Sequence, residues 1–184
     1  MKKIIVAICG ASGVQYGIEL LKALKEAGAE THLVLSEWAE KLVEEETPHS
    51  IAVVKKLASK VYDYKNMAAA ISSSSFLVDG MIVCPATVKT VSEIAHADSS
   101  NLISRAADNM LKTHKPLVVC IRETPLSAPC LKNLFDLSIY GAIVMPLSPG
   151  FYHKPKTVKD LTDFIVGKAL DLIGIPNKKF KRWE

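Results

Sequence analysis

A regular alternation of apolar, strand-like runs with amphipathic helical segments is the feature that most constrains how this sequence folds. Continuously apolar runs are typical of strands buried on both faces, and helices cover such strands in parallel sheets. The predicted strands are residues 3–9, 31–35, 61–64, 81–84, 117–121 and 142–145. The predicted helices are residues 14–27, 36–46, 50–59, 88–95, 102–112 and a last helix that begins at Thr157. The pattern therefore predicts an α/β fold of three layers, a mostly parallel sheet with helices on both faces.

Two of these helices carry recognisable N-terminal signals. Ser36 is placed to cap the helix that ends near Glu46, because a serine side chain can accept a hydrogen bond from the first turn. Thr157 is placed to cap the last helix, with Asp160 as its partner in a capping box. The apolar face predicted for that last helix is formed by Val158, Leu161, Ile165, Ala169 and Leu172.

Length and composition favour one domain over residues 1–184, with residues 174–184 as a tail that contacts another subunit. The chain has 184 residues, of which 49% are hydrophobic, enough for one core. The net charge of +4 is mild, and the basic run at 178–182 is better explained by a solvated or subunit-contacting end than by nucleic-acid binding. No apolar run reaches the length of a membrane span, and the N-terminal strand leads into a helix without a cleavage site, so we expect a cytoplasmic protein.

The cysteines and histidines give no sign of a metal site. Cys9, Cys84 and Cys120 belong to predicted strands, and Cys130 is placed in a polar turn. None of them shows the close spacing of a zinc or redox motif, and the five histidines are equally scattered. We therefore predict buried thiols in a reducing compartment and no metal.

Arg122 and Glu123 follow directly on the predicted strand 117–121. Parallel strands end where α/β proteins hold their ligands. An arginine there suits a phosphate, and a neighbouring glutamate can carry protons. A surface ion pair explains the same two residues without any function.

Two strand-to-helix junctions are suited to an anion. Small residues between the first strand and helix, Gly10-Ala11-Ser12-Gly13, let backbone N–H groups approach a phosphate, although a tight turn has the same composition. The segment 84–90 ends in Thr87, Val88, Lys89 and Thr90 and combines hydroxyls with a lysine where a helix begins. A helix cap beside a solvated lysine is the alternative there.

Three further segments are less specific. Arg105, Asp108 and Lys112 share one helical face, which suits either a solvated salt-bridge stripe or two cations around a phosphate. The serine run 71–76 has the composition of a flexible loop. The segment 146–155, rich in proline and aromatic residues, is typical of a loop that shapes a pocket or a subunit contact.

Together these segments resemble one family, the UbiX-type flavin prenyltransferases, in order and spacing over essentially the whole chain. The motifs that carry the resemblance are Gly10–Gly13, 71–76, 84–90, Arg105 to Asp108, Lys112, 122–126, 149–155 and the closing Arg182-Trp183. The resemblance implies a Rossmann/flavodoxin-like homo-oligomer, typically a dodecamer. It also implies transfer of a dimethylallyl group from dimethylallyl phosphate to N5 and C6 of reduced FMN without a metal, and delivery of the prenylated FMN to a UbiD-type decarboxylase.

The resemblance also implies roles for individual residues. Ser12 and Glu123 would act in catalysis, Ser12 beside N5 and Glu123 on protons. The FMN contacts would be Gly10, Ala11, Ser12, Ser36, Thr87, Val88, Lys89, Thr90 and Arg122. The prenyl phosphate would be surrounded by Arg105, Lys112, Arg122, Tyr152 and Lys168.

Two alternatives remain open at this point. One is a flavoprotein that decarboxylates a cysteine residue, a class that uses an asparagine in the segment corresponding to 85–90, where this chain has none. The other is an FMN-binding accessory subunit of an aromatic acid decarboxylase. A passive flavin carrier has no need of a second phosphate site, so an enzyme is favoured by the presence of Arg105, Lys112, Arg122, Glu123 and Tyr152.

Overall fold

The computed structural model describes residues 1–183 and shows a six-stranded sheet between two layers of helices. The strands are β1 (Lys3–Ile8), β2 (Glu30–Leu35), β3 (Lys60–Tyr62), β4 (Gly80–Ala86), β5 (Leu117–Ile121) and β6 (Ile143–Val144). The helices are α1 (Val14–Glu26), α2 (Glu37–Glu46), α3 (Ile51–Lys55), α4 (Val88–Ala95), α5 (Leu102–Lys112), α6 (Ala128–Ile139) and α7 (Val158–Leu172). This confirms the predicted α/β architecture.

All strand pairs are parallel, in the order β3-β2-β1-β4-β5-β6. From β1 the chain moves outward to β2 and β3, and then returns to the other side of β1 to form β4. The order therefore reverses between β1 and β4, and a crevice opens at their carboxyl ends, where ligands bind in folds of this kind.

The sheet separates two apolar cores. One contains α4, α5 and α6, and the other contains α1, α2 and α7. Gly17 allows α1 to lie close to the sheet, because a Cβ at this position would lie 2.4 Å from the carbonyl oxygen of Cys84. Burial on both sheet faces explains why the strands are continuously apolar.

The helix predictions were accurate for α4 and α5 and wrong for α6. Cys130 does not lie in a polar turn: it is buried within α6, whose N-cap is Ser127. The segment predicted as a helix over 50–59 is shorter, from Ile51 to Lys55. In α7 the capping box of Thr157 and Asp160 is present.

The apolar face predicted for α7 was partly wrong. Val158 and Leu172 are exposed, whereas Phe164, Val166 and Leu170 are buried with Ile165 and Ala169. The buried face of α7 is therefore rotated about the helix axis relative to the predicted face.

Candidate functional site

Backbone hydrogen bonds tie the carboxyl ends of four adjacent strands together. The N–H of Ser36 donates to Ile8, the N–H of Cys9 donates to Pro85, and the N–H of Arg122 donates to Ala86, at 3.0 to 3.2 Å. Neighbouring strands lie about 4.8 Å apart, so these ends span roughly 14 Å along one edge of the sheet. The predicted cofactor segments are consequently side by side, although they are distant in sequence.

A cavity of about 320 Å³ lies at this edge. Its lining residues are Cys9, Gly10, Ser36, Glu37, Trp38, Tyr64, Thr87, Val88, Lys89 and Thr90. The cavity is lined by most of the residues predicted to bind FMN, but not by Ala11, Ser12 or Arg122. A cavity of about 370 Å³ at the C-terminal end of α1 lies away from the strand ends, and we regard the crevice cavity as the candidate site.

Two helices begin at this cavity, and each has a hydroxyl cap. The Ser36 Oγ accepts from the N–H of Ala39 at the start of α2, as predicted, and the Thr87 Oγ1 accepts from the N–H of Thr90 at the start of α4. Lys89 lies in the first turn of α4 and pairs with Glu93 at 3.0 Å. A hydrogen bond with that carboxylate raises the pKa of Lys89, which keeps the ammonium charged. The cavity wall therefore combines hydroxyls, helix N-termini and a cation, which together suit a phosphate.

Trp38 and Tyr64 are site residues that the sequence reasoning missed. A Cβ on Gly10 would lie 2.3 Å from the Cβ of Trp38, so the glycine lets the loop pack directly against the Cβ and backbone of Trp38. Trp38 is 66% exposed although it lines the cavity. The signal available in the sequence was a tryptophan in the first turn of a helix capped by Ser36. These two rings give the cavity aromatic faces suited to a flat heterocycle.

The loop 10–13 does not leave the start of α1 free for a ligand anion. The Glu46 Oε2 accepts from the backbone N–H of Gly13 at 2.7 Å and faces the N–H of Val14 at 3.3 Å. Gly13 has a φ of 97°, a left-handed conformation that favours glycine. The carboxylate of Glu46 thus occupies the anion position at this helix end, which sequence reasoning did not foresee because Glu46 lies 33 residues away.

Cys9 lines the cavity but is not a nucleophile. Burial raises the pKa of this thiol to about 11, against a smaller lowering by the hydrogen bond from Thr90. The Thr90 Oγ1 donates to the Cys9 Sγ at 3.4 Å. A thiol with this pKa stays protonated at neutral pH, so it contributes packing and no covalent chemistry.

Arg122 and Glu123 lie next to the crevice at the end of β5. The Arg122 Nε is buried and has no hydrogen-bond acceptor among residues 1–183. The Glu123 side chain is exposed, and its Oε1 accepts from the N–H of Thr124 at 3.0 Å. No ion pair joins the two side chains within the described residues, which argues against the surface-ion-pair interpretation. A buried, unsatisfied guanidinium nitrogen is the donor that an anionic ligand needs.

The α5 residues have the predicted common face. Asp108 lies 2.7 Å from Lys112 and 3.8 Å from Arg105, so one carboxylate holds both cations. The Arg105 Nε also donates to the carbonyl oxygen of Ser72 at 3.0 Å, as does the Asn109 side chain at 2.9 Å. The serine run is therefore anchored through a 3-10 turn at Ala70–Ser72, which differs from the flexible loop predicted.

Tyr152 and Lys168 meet through an aromatic cluster of the C-terminal region. The Tyr152 ring packs on Phe164 at 5.8 Å and on Trp183 at 5.4 Å. The Lys168 Nζ lies 5.7 Å from the centroid of the same Phe164 ring. In residues 1–183 no hydrogen bond, ion pair or aromatic contact joins this cluster to Arg105 or Lys112. One chain therefore presents the predicted phosphate ligands in two separate groups.

The remaining predictions concern metals and membranes. Within residues 1–183, no three histidine, cysteine, aspartate or glutamate side chains cluster closely enough to hold a metal ion. All four cysteines are free and buried. In the part of the chain that the structure describes, no helix has the length and apolar character needed to cross a membrane.

Comparison with known proteins gives consistent matches over the whole chain. The family described as Flavoprotein matches residues 1–170. Flavin prenyltransferase UbiX of Saccharolobus solfataricus is 46% identical over 186 aligned positions, which cover 100% of this chain and 92% of that protein.

Solved structures agree with these matches. AnUbiX (PadA1), crystallised in complex with FMN and dimethylallyl pyrophosphate, has a TM-score of 0.98 at 43% identity, covering 100% of this chain and 97% of its own. A dodecameric FMN-dependent UbiX-like decarboxylase from Escherichia coli O157:H7 has a TM-score of 0.97 at 42% identity, covering 99% of each chain. The peptidyl-cysteine decarboxylase EpiD, 15% identical with a TM-score of 0.67, shares the fold alone.

Proposed function

This chain belongs to the UbiX-type flavin prenyltransferases of the Flavoprotein family, and we propose that it prenylates reduced FMN. The group transferred is dimethylallyl, from dimethylallyl phosphate to N5 and C6 of the flavin. The observation that carries this proposal is the buried Arg122 Nε without a partner, beside a cavity with aromatic and hydroxyl walls. That combination suits a flavin phosphate next to a second anion.

The crevice residues fit FMN. FMN would be held by Gly10, Ala11 and Ser12 after β1, by Ser36 at the end of β2, and by Thr87, Val88, Lys89 and Thr90 at the start of α4. Because Glu46 occupies the N-terminus of α1, the flavin phosphate would be held on the α2 and α4 side, by Ser36 and Thr87. Arg122, at the end of β5, would contact both the flavin and the donor.

Bound reduced FMN supplies the nucleophilic nitrogen and carbon of the reaction. When the allylic carbon–oxygen bond breaks, negative charge develops on the departing phosphate, and preorganised donors stabilise it. Arg105, Lys112, Arg122 and Lys168 provide charge, and Tyr152 provides a hydroxyl. The exposed carboxylate of Glu123 would take the proton that C6 loses when its new bond forms and would pass it to the released phosphate.

We also propose that the site is completed in a homo-oligomer. The α5 cations and the Tyr152–Lys168 group are not in contact within one chain, and a second subunit can supply the missing group. An exposed apolar stripe on α6, formed by Leu131, Phe135 and Ile139, gives a surface suited to such a contact. The relative from Escherichia coli O157:H7 is dodecameric, and a dodecamer is our proposal here. The prenylated flavin then passes to a UbiD-type decarboxylase.

Release of inorganic phosphate tests this function. The protein is incubated anaerobically with reduced FMN and dimethylallyl phosphate, and free phosphate is measured against time. We expect release up to one phosphate for each flavin, and a parallel incubation with the diphosphate shows which donor is used. FMN binding without phosphate or diphosphate release would favour the alternative, an accessory subunit that only carries flavin.

A further inference from the structure

The C-terminal segment, residues 176–183, folds back against α7 of its own chain. The Asn177 Nδ2 donates to the carbonyl oxygen of Gly167 at 3.1 Å and to the Asp171 Oδ1 at 2.9 Å. Phe180 packs where Gly167 has no side chain, since a Cβ there would lie 2.6 Å from the Phe180 Cδ1. The segment is thus seated on one face of α7 by specific contacts.

Arg182 closes this arrangement with a bidentate pair to Asp171. Its two terminal nitrogens donate to the two carboxylate oxygens at 2.9 and 2.8 Å. Two parallel bonds of this kind fix the orientation of both planar groups. The hydrogen bonding from Arg182 lowers the pKa of Asp171, and the charge of Lys168 contributes a smaller lowering.

Lys168 lies one helical turn before Asp171, so the two side chains share a face of α7. Among residues 1–183 the Lys168 ammonium has no carboxylate partner, and it lies 5.3 Å from the centroid of the Phe180 ring. Both oxygens of Asp171 are already engaged by Arg182. Without that engagement, Asp171 is the carboxylate best placed to pair with Lys168 and neutralise it.

The C-terminal segment also contacts Tyr152, another residue predicted to bind the donor phosphate. Trp183, the residue after Arg182, packs edge-to-face on Tyr152 with ring centroids 5.4 Å apart. Phe180 contacts Phe164 at 4.9 Å, and Phe164 in turn packs on Tyr152. The anchored segment therefore contacts both residues that the proposed function assigns to the prenyl phosphate.

We propose that Arg182 is a positioning residue of the donor site. It occupies the carboxylate of Asp171, which leaves Lys168 unpaired for the anionic end of the donor. This inference rests on the proposed function, because that function assigns Lys168 and Tyr152 to the donor phosphate.

The test compares the Kd of dimethylallyl phosphate between the wild-type protein and its variants. Each protein is loaded with oxidised FMN, so that no turnover occurs, and the Kd is measured by calorimetry. We expect Arg182→Ala to weaken donor binding about fivefold, the scale of a partly exposed ion pair, and to leave the Kd of FMN unchanged. The double variant Asp171→Asn/Arg182→Ala should recover most of the loss, because an amide does not neutralise Lys168. Lys181→Ala, which removes an exposed cation from the same segment, is the matched control and should bind like wild type.

Two results would overturn the proposal: wild-type donor affinity in Arg182→Ala, or a double variant that binds the donor no better than Arg182→Ala. Arg182 is about half exposed near the chain end, so its replacement leaves the core intact. Failure of the proposed function has a different signature, since wild-type protein would then bind the donor without releasing phosphate.

Discussion

The carboxylate of Glu46, at the end of α2, accepts a hydrogen bond of 2.7 Å from the backbone N–H of Gly13, at the start of α1. A residue at the end of α2 thereby caps the start of α1. The same hydrogen bond anchors the loop that carries Ser12, between β1 and α1. A negative group at a helix N-terminus is stabilising because it complements the positive end of the helix dipole.

We expect Glu46→Ala to lower the free energy of unfolding by about 1 kcal/mol, the usual contribution of a helix N-terminal cap. The variant should also slow prenyl transfer, because the loop of Ser12 loses its anchor. Denaturant unfolding and phosphate release measure the two effects. Glu45→Ala, an exposed neighbour, is the control, and equal effects of the two variants would contradict the capping role.

Replacement of Glu123 separates catalysis from binding. The Glu123→Gln side chain keeps its size and its acceptor for the Thr124 N–H, but it cannot carry a proton. We expect kcat to fall by about a hundredfold or more, with FMN affinity unchanged. Fluorescence titration of FMN together with anaerobic turnover measures both quantities. Loss of FMN binding would instead assign Glu123 a structural role.

Arg122 and Arg105 should differ in which ligand they affect. Arg122→Ala should weaken binding of FMN and of dimethylallyl phosphate each by about tenfold, because the proposed function assigns its guanidinium to both anions. Arg105→Ala should weaken only the donor, since Arg105 lies on α5 and away from the flavin cavity. Calorimetric titration of each ligand gives the comparison. Unchanged donor affinity in Arg122→Ala would exclude the shared role.

Buried His32 should make the stability depend on pH. Its ring contacts the Tyr62 hydroxyl at 2.9 Å and the Glu30 Oε1 at 3.1 Å. Burial lowers the pKa of His32 below its ordinary value of 6.5, and Lys3 and Lys60 add to this, while the hydrogen bond and charge of Glu30 act in the opposite direction.

Because the folded-state pKa is the lower one, the unfolded chain takes up the proton first as the pH falls. The contribution of His32 to the free energy of unfolding is therefore complete above pH 6.5, and it is lost as the pH falls from there through the folded-state pKa. Thermal denaturation between pH 8 and 5 should show a fall in Tm that is smaller in His32→Asn than in wild type. The same fall in His32→Asn as in wild type would assign the effect to other groups, and exposed His96→Asn is the control.

The parts of the fold that could be predicted are those with local signals. The bounds of α4 and α5 follow from their periodic apolar residues, and the structure has these bounds. Helix α6 was missed although Ser127 and Pro129 mark its start, because its exposed face is also apolar and its pattern is not clearly amphipathic.

Long-range pairs in the site had no such signal. The contact of Glu46 with Gly13 and the pairing of Arg182 with Asp171 depend on how helices dock after folding, and no spacing rule predicts them. The strand-end residues were predictable because parallel strands bring their carboxyl ends to one edge. Whether Arg105 and Lys112 share a site with Tyr152 depends on the assembly, and it stays a prediction.

The mass of the flavin after anaerobic incubation with reduced FMN and dimethylallyl phosphate tests the central claim most directly. We predict that flavin extracted from the wild-type reaction is heavier than FMN by the transferred five-carbon unit, while the Glu123→Gln reaction yields mostly unmodified FMN over the same period. Flavin of unchanged mass from wild-type protein saturated with both ligands would contradict prenyl transfer by this chain.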